Sequence, residues 1–124
     1  IHLNTIYIMN VNIDSIPPAP LPSLDIQKLR ENAGEAERLL KSLANPDRLL
    51  LLCQLAKGEM NVGQLEQQLG IHQPTLSQQL GVLRREGLVA TRREGKQIFY
   101  RINSGPALAV INTLYHLFCE GDGG

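Results

Sequence analysis

The stretch NVGQLEQQLGIHQPTLSQQLGVLRREGLVATRREGKQIFYRIN, residues 61–103, decides the fold of this 124-residue chain. It reads as two short helices joined by a tight turn and followed by a charged hairpin. Asn61 offers a side chain that caps free N–H groups at a helix start, and Gln64, three residues on, completes a capping box. That helix stops at Gly70. The next has Pro74 in its first turn, where a missing N–H does no harm, and Gly87 just past its end, where the backbone needs positive φ.

Periodicity assigns the faces of this second helix. Leu76, Leu80 and Leu83 recur at i, i+4 and i+7, so they form one stripe that must be buried. The opposite face carries Thr75, Gln78, Val82 and Arg85, flanked by Ser77 and Gln79, with Gln73 just ahead of the helix. No acid occurs there before Glu86, which suits approach to a polyanion and leaves amides and hydroxyls to read base edges. For an isolated amphipathic helix a solvated polar face would be the plainer account. The residues beyond Gly87 change the balance.

After Gly87 the period falls from 3.6 towards 2. Leu88–Arg92 and Gln97–Arg101 are β-prone runs, and Arg93-Glu94-Gly95-Lys96 between them supplies a turn. Residues 72–103 hold Arg84, Arg85, Arg92, Arg93, Lys96 and Arg101 against Glu86 and Glu94, an excess of four positive charges in a chain whose net charge is zero. Arg92, Arg93 and Lys96 are therefore expected to touch phosphates beside the groove that takes the helix, giving salt-dependent affinity without sequence information. Two helices, a reading face and a basic hairpin form the outline of a winged helix-turn-helix, with double-stranded DNA as partner.

From about Leu39 to Cys119 the chain resembles the ArsR-type family of small bacterial winged-helix repressors. The resemblance rests on Ala44-Asn45-Pro46-Asp47-Arg48, on Leu76–Arg84, on Glu86-Gly87-Leu88-Val89 and on Gly95–Tyr100, and covers roughly two thirds of the chain. It implies a dimeric repressor that releases DNA when an inducer binds.

Composition fits a modest domain, mainly α with a small β-hairpin. Apolar residues make up 43% of the chain and Trp is absent, so one small core of Leu, Ile and Val is expected. Residues 24–43 read as a long amphipathic helix with Leu29, Ala33, Ala36, Leu39, Leu40 and Leu43 near helical spacing. Another starts with Asn45 as cap and Pro46 at its first position and runs to Ala56; a last one starts near Ser104. The last carries Ala107, Val110, Ile111, Leu114, Leu117 and Phe118, a stripe too wide for one small core. Five helices are thus expected. The first and last long helices are expected to bury their surplus against a second copy of the chain. Two copies related by a two-fold axis predict an inverted-repeat operator.

Residues 1–23 belong to a different class of sequence. Ile1–Ile16 is rich in Asn and Ile, and the run from Pro17 to Pro22 forces extended backbone, so a disordered arm is expected, with the domain over 24–120 and a flexible tail at 121–124. The first Met is at position 9, which makes residues 1–8 candidates for an expression remnant or an incomplete start. The apolar stretch Ile6–Met9 is far shorter than the ~20 residues that span a bilayer, and no basic run leads into a signal-like core. A cytoplasmic protein without membrane contact is expected.

The two cysteines, Cys53 and Cys119, are the only thiols. In an intracellular protein they stand either as inert core residues or as a redox pair, and spacing alone leaves both open. Within the ArsR-type repressors the chain is most similar to the BigR-like dithiol sensors of reactive sulfur, with one cysteine in the second helix and one near the end of the last. That similarity implies an inducer, a reactive sulfur species, that joins Cys53 and Cys119 through a disulfide or polysulfide bridge and lowers DNA affinity. A metal-responsive repressor is the nearest alternative, but the helix Val62–Leu69 lacks Cys, His and Asp, and His116 with Glu120 falls short of a structural zinc set. A set of Cys53, Cys119 and His116 is conceivable; no metal or cofactor is expected. A constitutive winged-helix DNA binder with inert thiols is the other alternative. An enzyme is not expected, since the chain has no C-x-x-C, phosphate loop or zinc-protease motif.

Overall fold

The structure is a computed structural model that describes residues 25–120. The expected arm, Leu24 and the tail lie outside the described residues. Within them the order is α1 (Ile26–Leu43), α2 (Pro46–Leu55), β1 (Met60–Asn61), α3 (Val62–Leu69), α4 (Thr75–Arg85), β2 (Val89–Glu94), β3 (Gln97–Ile102) and α5 (Gly105–Tyr115), which continues into a π-helical turn, His116–Glu120. Five α-helices and a small sheet reproduce the expected architecture.

Helix ends follow the local chemistry. Asn61 Oδ1 accepts the Gln64 N–H at 2.8 Å while Gln64 Oε1 accepts the Asn61 N–H at 2.9 Å, a complete capping box at the start of α3. Gly87, at φ 77°, closes α4 in a Schellman turn: its N–H donates to the Arg84 carbonyl at 3.0 Å and the Leu88 N–H to the Leu83 carbonyl at 2.9 Å. Leu83 and Leu88 are both buried, so the turn also delivers the chain from the core helix into β2. Asn45 caps α2 by accepting the Arg48 N–H, and Ser104 caps α5 through the Ala107 N–H. Pro74 falls one residue outside the expected place, at the N-cap of α4. Neither position requires a donor, which is why the sequence does not separate them.

The hairpin is tighter than expected. Strands β2 and β3 pair antiparallel from Val89 opposite Ile102 through Glu94 opposite Gln97, leaving only Gly95 and Lys96 in the turn. Gly95 has φ 62°, the backbone such a two-residue connection needs. A third strand was not expected: Met60 and Asn61 pair with Tyr100 and Phe99, making a sheet of order β1-β3-β2. Two residues are too few to show a period of two.

The core is aliphatic, as the composition demands. Leu51, Leu52 and Leu55 of α2, Leu65 of α3, and Leu76, Leu80 and Leu83 of α4 meet Leu43, Ile71, Leu88, Val89, Ala107 and Ile111. In α1 the only buried residues are Ser42 and Leu43, with Ile26, Leu29 and Leu40 about half exposed. Only Ala107 and Ile111 of the α5 stripe are buried, and Tyr115 and Phe118 are each 50% exposed. Both outer helices therefore retain apolar surface that the described residues do not cover.

Leu80→Ala should lower unfolding free energy by about 3 kcal/mol through an unfilled core cavity. Asn61→Ala should cost about 1 kcal/mol through the lost cap. Urea unfolding at one fixed protein concentration checks both; equal losses would show that the core of α4 is not as tightly packed as its burial indicates.

Candidate nucleic-acid interface and thiol pair

Helices α3 and α4 are joined by Gly70–Pro74, and Ile71 in that turn is plugged into the core at 8% exposure. The leucine stripe of α4 is at most 1% exposed, so the helix is fixed along one side and its opposite side is free. Ser77, Gln78, Arg84 and Arg85 are exposed, Thr75 half-buried. Arg85 lies back along the helix, where a Cβ on Gly81 would meet its Nη1 at 3.2 Å. Gln73 is exposed, and its Oε1 accepts the Ser77 N–H at 3.1 Å, replacing the side-chain cap that Pro74 lacks.

Three expectations, two for this face and one for the wing, are corrected. Gln79 is half-buried, and its Oε1 accepts from Arg48 Nη1 at 2.8 Å, so its carboxamide oxygen is held inside the domain. Val82 is half-buried, facing a cleft that it lines with Arg38, Lys41, Ser42, Arg48 and Glu86. Arg92, expected on a phosphate, is held by two carboxylates: Nε and Nη2 lie 2.8 Å from Glu59 and Nη1 lies 2.6 Å from Glu94. Its guanidinium also stacks 4.5 Å over the Phe99 ring, and Glu94 and Glu59 hold it firmly protonated. Sequence order hid the first and third, because Arg48 and Glu59 lie 31 and 33 residues from their partners. Among the described residues, Arg84, Arg85, Arg93, Lys96 and Arg101 have no carboxylate within ion-pair distance. The positive field of the reading face and wing rests on these five.

At the other end of α4, Glu86 accepts from Arg38 Nε at 2.6 Å, tying α1 to the end of the reading helix. The hydrogen bond from Arg38 holds the Glu86 carboxyl below its ordinary range.

One thiol lies on α2 and the other in the turn that ends α5. Cys53 is half-buried against the core, and Cys119 is exposed in the π-helical turn; both are free. Burial pushes the Cys53 thiol up, and a negative charge on Cys119 pushes it further, while Lys57 opposes both. The two sulfurs thus lie within electrostatic reach although they are far apart in the chain. His116 Nδ1 lies 3.2 Å from Glu120 Oε1, and His72 Nδ1 lies 3.2 Å from Glu66. Among the described residues no group of three or more His, Cys, Asp or Glu side chains is arranged to hold a metal ion, the set of Cys53, Cys119 and His116 included.

A reading helix backed by a leucine stripe, followed by a cationic β-hairpin, defines a winged helix-turn-helix protein that binds DNA. Residues 45–91 match the family described as "Bacterial regulatory protein, arsR family". The chain is 52% identical to the biofilm growth-associated repressor of Xylella fastidiosa (strain Temecula1), an alignment spanning 80% of this chain and 87% of that one. The crystal structure of the transcriptional repressor BigR from Xylella fastidiosa superimposes with a TM-score of 0.73 at 53% identity, over 77% of this chain and 98% of that one. A homodimeric winged helix-turn-helix DNA-binding domain from Mycobacterium bovis does so with a TM-score of 0.63 at 30% identity, over 77% of this chain and 88% of that one. The chain belongs to the ArsR family: it is a DNA-binding transcriptional repressor of this type and not an enzyme.

The thiolate, not the thiol, is the nucleophile, so the raised Cys53 pKa fixes an order of reactivity. Iodoacetamide should label exposed Cys119 first at neutral pH, and labelling of Cys53 should keep accelerating at pH values above those of an ordinary thiol. In Cys119→Ser the Cys53 profile should move to lower pH, because one of the two causes raising it is removed. Peptide-mapped alkylation rates give the answer; a Cys53 profile identical in both proteins would mean the sulfurs do not interact.

Proposed function

We propose that this repressor lowers its operator affinity when reactive sulfur joins Cys53 to Cys119. The observation that carries the proposal is the placement of two free thiols, one half-buried on α2 and one exposed on the turn that ends α5, with Cys119 among the groups that raise the Cys53 pKa. Exposed Cys119 attacks first: its thiolate takes the terminal sulfur of a persulfide, R–S–SH, releasing RS⁻ and leaving Cys119–S–SH. The Cys53 thiolate then attacks the Cys119 sulfur and expels HS⁻, so the dithiol is oxidised by two electrons and the sulfane sulfur is reduced to sulfide. A second sulfane sulfur added before closure leaves a longer polysulfide bridge, which tolerates a wider separation than a disulfide.

DNA contact in this proposal divides by chemistry. Gln78 and Thr75 on α4 face base edges, with Ser77 and Gln73 beside them, while Arg85, Arg93 and Lys96 take phosphates. Arg92 serves the wing by holding Glu59 and Glu94 in place of a phosphate. The apolar surface on α1 and α5 fits a homodimer, as in the Mycobacterium bovis relative. Two reading helices one DNA turn apart then require an inverted-repeat operator. Such a regulator works in the cytoplasm, and among the described residues no helix is long and apolar enough to cross a membrane.

Glutathione persulfide should add whole sulfur atoms to the reduced protein, protect both thiols from alkylation and weaken operator binding about 100-fold, a shift of ~2.7 kcal/mol. Cys53→Ser and Cys119→Ser should each bind operator normally and ignore the persulfide. Intact mass and fluorescence anisotropy on the same samples decide; regulation that survives either substitution would leave a DNA binder with inert thiols. On the DNA side, Lys96→Ala should weaken binding to every duplex and reduce the salt slope by about one unit, whereas Gln78→Ala should relax base preference. A Lys96→Ala protein with an unchanged salt slope would remove the wing tip from the interface.

A further inference from the structure

Arg48 stands at the third position of α2 and is half-buried, with every arm of its guanidinium engaged. Nε donates to the Ser42 carbonyl at 2.6 Å and Nη2 to the Lys41 carbonyl at 3.1 Å, while Nη1 donates to Gln79 Oε1 at 2.8 Å. Two of these acceptors are carbonyls at the end of α1, which stops without a left-handed glycine; the Lys41 carbonyl also accepts the Ala44 N–H at 3.3 Å, and Arg48 adds a second donor there. The third sits in the middle of α4. One side chain therefore spans the end of α1 and the reading helix.

The space between those helices makes the tie consequential. Bounded by Arg38, Lys41, Ser42, Arg48, Val82 and Glu86, it is an open cleft of about 280 Å³ and not a packed seam. Across it α1 and α4 are joined by Arg48 with Gln79 and by Arg38 with Glu86. The leucine stripe fixes the depth of α4 in the core, but a single stripe leaves rotation about the helix axis to be set by contacts on its flank. Gln79 is on that flank, one residue after Gln78.

We infer that Arg48 is a positioning residue for DNA recognition: it sets the rotation of α4 relative to α1 through Gln79, and Gln79 reads no base. The inference rests on α4 being the base-contacting helix, as proposed above. It assigns the two residues one shared role, and only an arginine fork reaches all three acceptors in one plane. Lysine at this position keeps the charge and loses the span.

The test measures anisotropy of Arg48→Lys, Gln79→Met and the double variant on operator, on a set of single-base operator variants and on random duplex, with Gln78→Ala alongside. Arg48→Lys and Gln79→Met should each lower the ratio of operator to random affinity by ~tenfold, the scale of one lost charge-assisted hydrogen bond. The double variant should lose no more than either single one. Affinity for random duplex and its salt slope should stay as in the parent, a result that loss of folding would not give. Additive losses, or a Gln79→Met protein that loses preference at one base pair only, would show Gln79 reading DNA directly and overturn the inference. Altered base preference in Gln78→Ala with an unaffected Arg48→Lys would overturn the Arg48 assignment alone; no change in Gln78→Ala would overturn it together with the reading of α4.

Discussion

The burial of α2 is the constraint on which the rest of the molecule depends. Its Leu51 and Leu52 are fully buried and Leu55 nearly so, at the centre of a core that contains no buried aromatic among the described residues. Helices α3, α4 and α5 all pack on these three leucines, so a helix of ten residues fixes the geometry of the reading head. Because leucines of this kind interdigitate at near-crystal density, the arrangement resists small adjustments. The same helix holds Arg48 near its start and Cys53 near its end. One points its donors towards α1 and α4, and the other packs against the core with its pKa raised in part by Cys119 in the turn that ends α5.

Charge is distributed on the same logic of placement over amount. The chain is neutral, and part of its apparent basic excess is spent internally, since Arg92 is held between Glu59 and Glu94 and over Phe99. Those exposed ion pairs add little stability, but they order the base of the wing by linking the loop before β1 to β2. The unpaired cations then stand at the end of α4, around the hairpin tip and, as Arg101, nearer the base of the wing, where a polyanion can reach them. A neutral chain can thus carry a positive face without the self-repulsion that a strongly basic protein suffers.

Much of this was legible in the sequence because it is governed by short-range rules. The capping box at Asn61 and Gln64, the turn at Gly87 and the stripe of Leu76, Leu80 and Leu83 each depend on residues within one or two helical turns. Arg48 could be seen only as part of a motif, since its partner Gln79 belongs to another helix; for the same reason Gln79 and Arg92 looked free. Strand β1 was invisible because two residues carry no period, and its pairing is dictated by β3 across the sheet. The π-helical turn likewise arises from no local signal in His116–Glu120, whose residues continue the apolar pattern of α5. Sequence placed both cysteines on their helices, but their mutual influence depends on how α5 crosses α2.

The position of that turn bears on how a bridge at Cys53 could reach DNA at all. Cys53 belongs to a helix with three buried leucines, so a covalent tie to it would hold Cys119 still and not displace α2. The π-helical turn is the softer partner, because i→i+5 hydrogen bonding is poorer and its five residues include none that is buried. A bridge of the kind proposed would therefore act on the end of α5 and on the exposed Tyr115 and Phe118 beside it. In a dimer seated on that surface, the reading heads would each keep their internal geometry while the angle or freedom between them changed. An inverted-repeat operator penalises such a change twice, once for each half-site, because both helices must enter successive grooves together. The proposed signal thus needs no deformation of the leucine core, only a new constraint at the one segment of the described chain where helical hydrogen bonding is already irregular.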